Sequence, residues 1–222
     1  MKIMEAMELM KSRHSVRQFL DKPLSEEAVA ALNAEIASVN EESGLHIQLI
    51  TNEPNAFEAG KANYGQFKCC KNYLVLAGPA GKDVEIGYYG ERVVLKAQEL
   101  GINSCWVALT YKKGKTQGEM AAGEKRYLVV ALGYGETQGA AHKVKDASAV
   151  SNLTDASPDW FKAGIEAALL APTAMNQQKF KFELSGDKVS AKAGFGFYTK
   201  IDLGIAKYHF ELGSGKGSEI WA

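Results

Sequence analysis

Residues 83–109 read DVEIGYYGERVVLKAQELGINSCWVAL, and this stretch decides the fold class. Residues 83–100 predict a helix, Gly101 supplies its C-cap, and residues 104–109 predict a strand directly after it. A second strand is predicted over 127–132, closed by Gly133-Tyr134-Gly135. Helix and strand in close succession place the chain among mixed helix-and-sheet folds.

Working outward towards the N-terminus, Ile3, Met4, Met7 and Met10 fall at helical spacing, and the pattern turns polar and basic near Ser12. Residues 12–19 then predict an extended arm. Ser25 followed by Glu26 and Glu27 is an N-cap with first-turn acids, and Val29, Leu32, Ile36 and Val39 carry the helix to a breaker at 40–44. Leu45, Ile47 and Leu49 alternate with His46 and Gln48, the period of a half-buried strand, and 73–77 is a short apolar run of the core-strand type.

Towards the C-terminus, a polar connection over 137–154 leads to a helix at 158–170. A hairpin pairs 180–184 with 189–193 across Ser185-Gly186-Asp187, a helix follows at 199–212, and the tail 213–217 reads as flexible. Two parts of this layout echo one another. A helix followed by an alternating strand occurs at 25–50 and again at 158–184, and Glu85-Ile86-Gly87 opens a helix much as Asp202-Leu203-Gly204 does. The echo points to an internal duplication.

The totals narrow the functional classes. Lys plus Arg and Asp plus Glu are 26 each among 222 residues, so no net field attracts nucleic acid or an anionic membrane. No stretch is apolar and long enough to span a bilayer, and the N-terminus lacks a signal-peptide pattern, so a cytoplasmic protein is expected. Cys69, Cys70 and Cys105 lack metal-ligand spacing, no Ser/His/Asp or Cys/His constellation stands out, and His46 and His209 fall in regular elements. Neither a metal site nor a catalytic side chain is expected. Tyr64, Phe67, Trp106 and Tyr111 read as core before they read as a substrate face.

Two segments carry chemistry. In an extended arm Arg13, Ser15 and Arg17 leave one face, and two guanidiniums with a hydroxyl suit a phosphate or another compact anion. The segment Ala171-Pro172-Thr173-Ala174-Met175-Asn176-Gln177-Gln178 follows an apolar helix and offers amide donors and acceptors to a flat heterocycle. A solvated basic arm explains the first alone, and a polar helix stop explains the second alone.

Together, Arg13-His14-Ser15-Val16-Arg17-Gln18-Phe19 and the 171–178 segment resemble the two signature stretches of the FMN-dependent nitroreductase family. Residues 85–107 and 129–135 also resemble that family's middle section. The resemblance implies an α+β fold with a mainly antiparallel central sheet flanked by helices. It implies bound FMN, NAD(P)H as reductant and a small-molecule electron acceptor such as a nitroaromatic or quinone. It also implies that the flavin performs the chemistry. By resemblance Arg13 and Ser15 hold the phosphate, His14 contributes its backbone, and Arg17 faces the pyrimidine end of the flavin. Lys143 and Lys145 complete the phosphate site, while Pro172, Thr173, Ala174, Asn176 and Gln178 form the loop that meets the flavin.

The order of parts departs from the family pattern. Relatives carry the Pro-Ser/Thr-x-x-Asn loop early and lend it to the other subunit of a homodimer. Here residues 37–43 fill that position without a Pro, and the loop sits near the C-terminus. The expectation is one nitroreductase-like domain over 1–222 that is a pseudo-dimer in one chain, with pseudo-symmetric lobes at 1–146 and 155–222, one flavin site and a monomeric state. A non-catalytic FMN carrier, a flavin-cleaving or dehalogenating relative, and a flavin-free anion-binding module remain as alternatives at this stage.

Overall fold

The computed structural model describes residues 3–58 and 66–222. Tyr64 falls outside them. The chain forms two compact, interleaved units: Met1–Ser12, Asp83–Glu91 and Ala141–Ala222 make a helical unit, and Arg13–Lys82 and Arg92–Ala140 make a sheet unit. The units follow packing, whereas the lobes at 1–146 and 155–222 are a reading of ancestry.

In the sheet unit, α2 (Glu26–Ser43) begins where Ser25 Oγ accepts from the Ala28 amide, a cap worth about 1 kcal/mol. It ends at a left-handed Gly44, inside the breaker expected at 40–44. Asn40 stays helical because its side chain serves strand β1 (His46–Ile50), donating to the Ile47 carbonyl and accepting from the Ile47 amide. β2 (Asn72–Pro79) lies inside the sheet and is buried from Asn72 to Gly78, which explains its unbroken apolar run. The second half of α3 (Asp83–Glu99) leads through Gly101 into β3 (Asn103–Val107), and β4 (Glu124–Gly133) completes the sheet. The order is β1-β2-β4-β3, every neighbour antiparallel, with a bulge at Leu76/Ala77. Phe67 and Tyr111 pack with Phe57 and Tyr73 in its core, as the core reading of these aromatics expects.

The helical unit contains α1 (Ile3–Ser12), the first half of α3, α4 (Ala147–Val150), α5 (Asp159–Leu169), the hairpin β5 (Phe180–Ser185) and β6 (Lys188–Ala193), and α6 (Thr199–Ser214). The polar connection thus holds one unexpected turn of helix, α4, started by Asp146 capping the Ser148 amide. Ser185 pairs with Lys188, so the hairpin turns on Gly186-Asp187 alone, with Gly186 at φ 62°. The unit's core is aromatic: Phe182 stacks on Phe210 at 5.2 Å, and Phe161 and Trp221 close around the same ring.

The tail is not loose, contrary to the expectation at 213–217. Gly213 and Ser214 are buried in the last turn of α6, and beyond Gly217 a short 3-10 turn over Ser218–Ile220 leads to Trp221, whose indole N–H donates to Glu211. A run of small polar residues looks flexible in sequence, but here it lets α6 approach α1 and α5 closely.

The first half of α3 crosses α6 at Gly87 and Gly204. A Cβ on Gly87 would overlap the Ile201 carbonyl, and a Cβ on Gly204 would overlap the Val84 carbonyl. Each glycine therefore meets the residue three before the other. The contact is reciprocal, as in a self-paired interface.

Candidate cofactor site

The arm docks on the free edge of β3. The Val16 amide donates to Ser104 at 2.9 Å, Phe19 to Lys68 at 3.0 Å, and the Lys68 amide returns to Arg17 at 3.0 Å. The turn closing β4 makes room for it: a Cβ on Gly133 would come within 2.8 Å of the Phe19 ring, and Gly135 takes a hydrogen bond from its amide to Asn103 Oδ1 at 2.9 Å. Sequence alternation put Arg13, Ser15 and Arg17 on one face, yet burial follows a period of three. Arg13, Val16 and Phe19 are inside, whereas Ser15 and Arg17 are exposed and His14 is half-buried. Among the described residues the arm's strand pairing is confined to isolated bridges, at Ser15, Gln18 and Phe19, so no regular pleat enforces alternation.

Arg13, Ser15 and Arg17 nonetheless all bear on one group, the Cys105 thiol. Burial pushes the Cys105 thiol up, and the Arg17 charge, a hydrogen bond with Ser15 and the Arg13 charge all oppose that shift. Three side chains spread over five residues thus act on a single sulfur of β3. Arg13 is 2% exposed, a guanidinium held inside the fold.

In the helical unit the 171–178 segment is a strained turn. Met175, Asn176 and Gln178 sit at φ 53°, 52° and 43°, in the left-handed region that non-glycine residues avoid. Side chains hold it there. The Gln178 amide N–H donates to Thr173 Oγ1 at 3.1 Å, and the buried Gln178 side chain donates to Asn176 Oδ1 and to the Lys143 carbonyl, at 2.7 and 2.8 Å. Asn176 Nδ2 donates to the same Lys143 carbonyl, and the Lys145 amide donates to Gln178 Oε1. The structure therefore brings Lys143 and Lys145 together with Thr173, Asn176 and Gln178. Pro172 and Ala174 are half-buried in the same turn.

The two lysines differ in role. Lys145 Nζ donates to the Gln177 and Gln178 carbonyls at 2.7 and 3.2 Å, which makes it a brace of the turn. Lys143 takes part through its backbone and its side chain is exposed.

Sequence reasoning missed two members. Asp202, in the first turn of α6, accepts from the Ala174 amide at 2.9 Å and from Gln177 Nε2 at 2.8 Å. Gln177 Nε2 also donates to the Phe197 carbonyl at 2.8 Å, which ties in a second loop where Phe195 and Phe197 are almost fully exposed. Burial pushes the Asp202 carboxyl up to about 6, against the two hydrogen bonds. The available signal was an acid set between Ile201 and Leu203 in an apolar helix start.

Among the described residues no helix is long and apolar enough to cross a membrane. The chain matches the family described as "Putative TM nitroreductase" over residues 3–214. Among solved structures it resembles a protein described as a putative nitroreductase from Thermotoga maritima, with TM-score 0.65 and 22% identity over 96% of this chain and 83% of that one. It also resembles proteins described as putative NADH dehydrogenase/NAD(P)H nitroreductases. The one from Parabacteroides distasonis has TM-score 0.52 and 15% identity over 69% of this chain and 98% of that one. The one from Bacteroides thetaiotaomicron has TM-score 0.51 and 14% identity over 66% of this chain and 95% of that one. These likenesses concern the fold. No curated protein matches the chain.

Proposed function

Because the chain belongs to the nitroreductase family, by a match that spans residues 3–214, we propose that it binds FMN and uses it to reduce small molecules at the expense of NAD(P)H. The observation that carries this reading is that Ser15 is hydrogen-bonded to Cys105 at the edge of the sheet and that the charges of Arg13 and Arg17 act on the same sulfur. Two guanidiniums and a hydroxyl fit a phosphate, which prefers forked, charge-assisted donors. The 171–178 turn fits the other end of the cofactor in chemistry, with a hydroxyl and amides in a backbone conformation that strained residues keep only when the surroundings insist.

In this reading Arg13 and Ser15 hold the phosphate, His14 contributes backbone, and Arg17 lies towards the pyrimidine end. Thr173, Ala174, Asn176 and Gln178, with Pro172 setting the turn, orient the ring system. Lys143 adds positive charge and Lys145 keeps the turn in shape. Bound FMN would supply two-electron transfer, accepting hydride from NAD(P)H and passing it to the acceptor; the protein supplies orientation and electrostatics. No side chain is assigned as proton donor or nucleophile.

The visible spectrum of the purified protein, with flavin counted per chain, tests the proposal. A yellow protein with close to one FMN per chain that bleaches NADH or NADPH supports it. Bound flavin without NAD(P)H oxidation identifies a carrier. A colourless chain whose melting temperature ignores added FMN removes the flavin altogether.

A further inference from the structure

The carboxyl of Asp202 is 3% exposed, although it opens a helix that could have shown an acid to water. Its two oxygens face two donors, the Ala174 amide and Gln177 Nε2, at 2.9 and 2.8 Å. Both donors belong to the turn whose Met175, Asn176 and Gln178 are left-handed. We infer that Asp202 is the positioning residue of this turn, and that its ionised carboxylate clamps the turn into the shape that receives the cofactor without touching the cofactor itself.

The chemistry demands the charge. A carboxylate accepts strongly at both oxygens, whereas a carboxylic acid carries a hydrogen on one of them, and that oxygen becomes a much weaker, uncharged acceptor. Protonation therefore costs the turn one of its two charge-assisted ties. If the Gln177 tie is lost, the effect reaches the second loop, because the same amide nitrogen donates to the Phe197 carbonyl.

Neighbouring charges do not provide this link. Lys145 and Lys179 place their ammoniums on the carbonyls of Gln177, Gln178 and Phe195, and Lys181 of β5 reaches those of Ser148 and Ser151. Glu166 of α5 pairs with Lys11 of α1, and Glu85 of α3 acts on Lys207. Burial, set against the two hydrogen bonds, accounts for the shift of Asp202 to about 6. The clamp should therefore loosen as the pH falls from 7.5 to 5.

The inference rests on the flavin reading, so the test carries a second readout that does not. FMN fluorescence quenching is titrated from pH 8 to pH 5 with the wild-type chain, Asp202→Asn and Gln177→Ala. In parallel, hydrogen exchange of the peptide covering 172–178 is followed without flavin and corrected for intrinsic rate. Loss of one charge-assisted tie is expected to weaken wild-type FMN binding about tenfold between pH 7.5 and 5. Asp202→Asn should show the weakened value throughout, with no pH dependence. Gln177→Ala removes a donor that favours the anion, so its midpoint should move to higher pH; this half-buried turn substitution also carries the test if Asp202→Asn fails to fold. Exchange at 172–178 should quicken below the midpoint in wild type and be quick at every pH in Asp202→Asn. If no variant or pH binds FMN but exchange follows this pattern, the flavin reading fails and the clamp stands. If exchange at 172–178 ignores both pH and the Asp202 substitution, the clamp is overturned whatever FMN does.

Discussion

Arg17 is exposed, so its removal reads out function with little penalty to the fold. Arg17→Ala is expected to weaken FMN binding by about tenfold or more, the worth of one charge-assisted hydrogen bond, and to lower the flavin's midpoint potential. Potentiometric titration checks it; an unchanged potential takes Arg17 away from the flavin. Glu53 gives the opposite kind of test, a buried acid in the sheet unit with no part in the cofactor reading. Burial pushes its carboxyl up, but hydrogen bonds from the Tyr73 hydroxyl and the Asn55 and Ala56 amides more than offset that and hold it below the usual value. With a depressed folded pKa, its contribution is present above the unfolded pKa and lost as the pH falls through the folded one. Glu53→Gln keeps one of the two accepting oxygens and sets amide hydrogens against the donors of the other, and should cost about 1–3 kcal/mol at neutral pH, read by chemical denaturation. Single residues were only half legible in the sequence. The types Arg13, Ser15 and Arg17 suggested an anion site, but their burial did not follow alternation because isolated bridges set it. Asp202 was hidden because an acid in a first helical turn ordinarily faces solvent and answers the helix dipole.

Elements were more legible than residues, since their signals are local. The cap at Ser25, the alternation over 45–49 and the Gly186-Asp187 turn each specify backbone geometry through a few neighbouring side chains, and those elements lie where expected. An element escaped where a distant partner decides it: the last turn of α6 is buried because α5 packs on it, with Ala167 against Gly213. The crossing of α3 and α6 is the sharpest element-scale test. Gly204→Ala drives a methyl into the Val84 carbonyl, and neither backbone can yield without parting the helices. The expected loss is about 3 kcal/mol or more, at the upper end of overpacking costs. Equilibrium denaturation with a wild-type midpoint would show that the helices are not so closely seated.

For the whole molecule, the antiparallel sheet with flanking helices was foreseeable from the family resemblance. The interleaving of the two units was not, because it depends on which distant segments pack together. Asp202 makes a global prediction through linkage. Its folded value of about 6 lies above the reference value of 3.8, so its stabilising share is complete below the unfolded value and lost as the pH rises through about 6. Ionising it costs the fold about 3 kcal/mol. Asp202→Asn should therefore flatten the dependence of melting temperature on pH between about 4 and 7. A single-chain pseudo-dimer also predicts a monomer in light scattering with close to one FMN per chain; two per chain would end that reading.

A duplication would give the mutual notch at Gly87 and Gly204 an evolutionary meaning. Where two identical subunits meet, one nucleotide change is felt on both sides of the seam, and neither can specialise. Here the opposing surfaces are encoded separately, and equivalent places around the notch already hold Glu85 and Asp202, or Tyr88 and Ile205. On the duplication reading, one copy was free to become an anchor while its twin drifted.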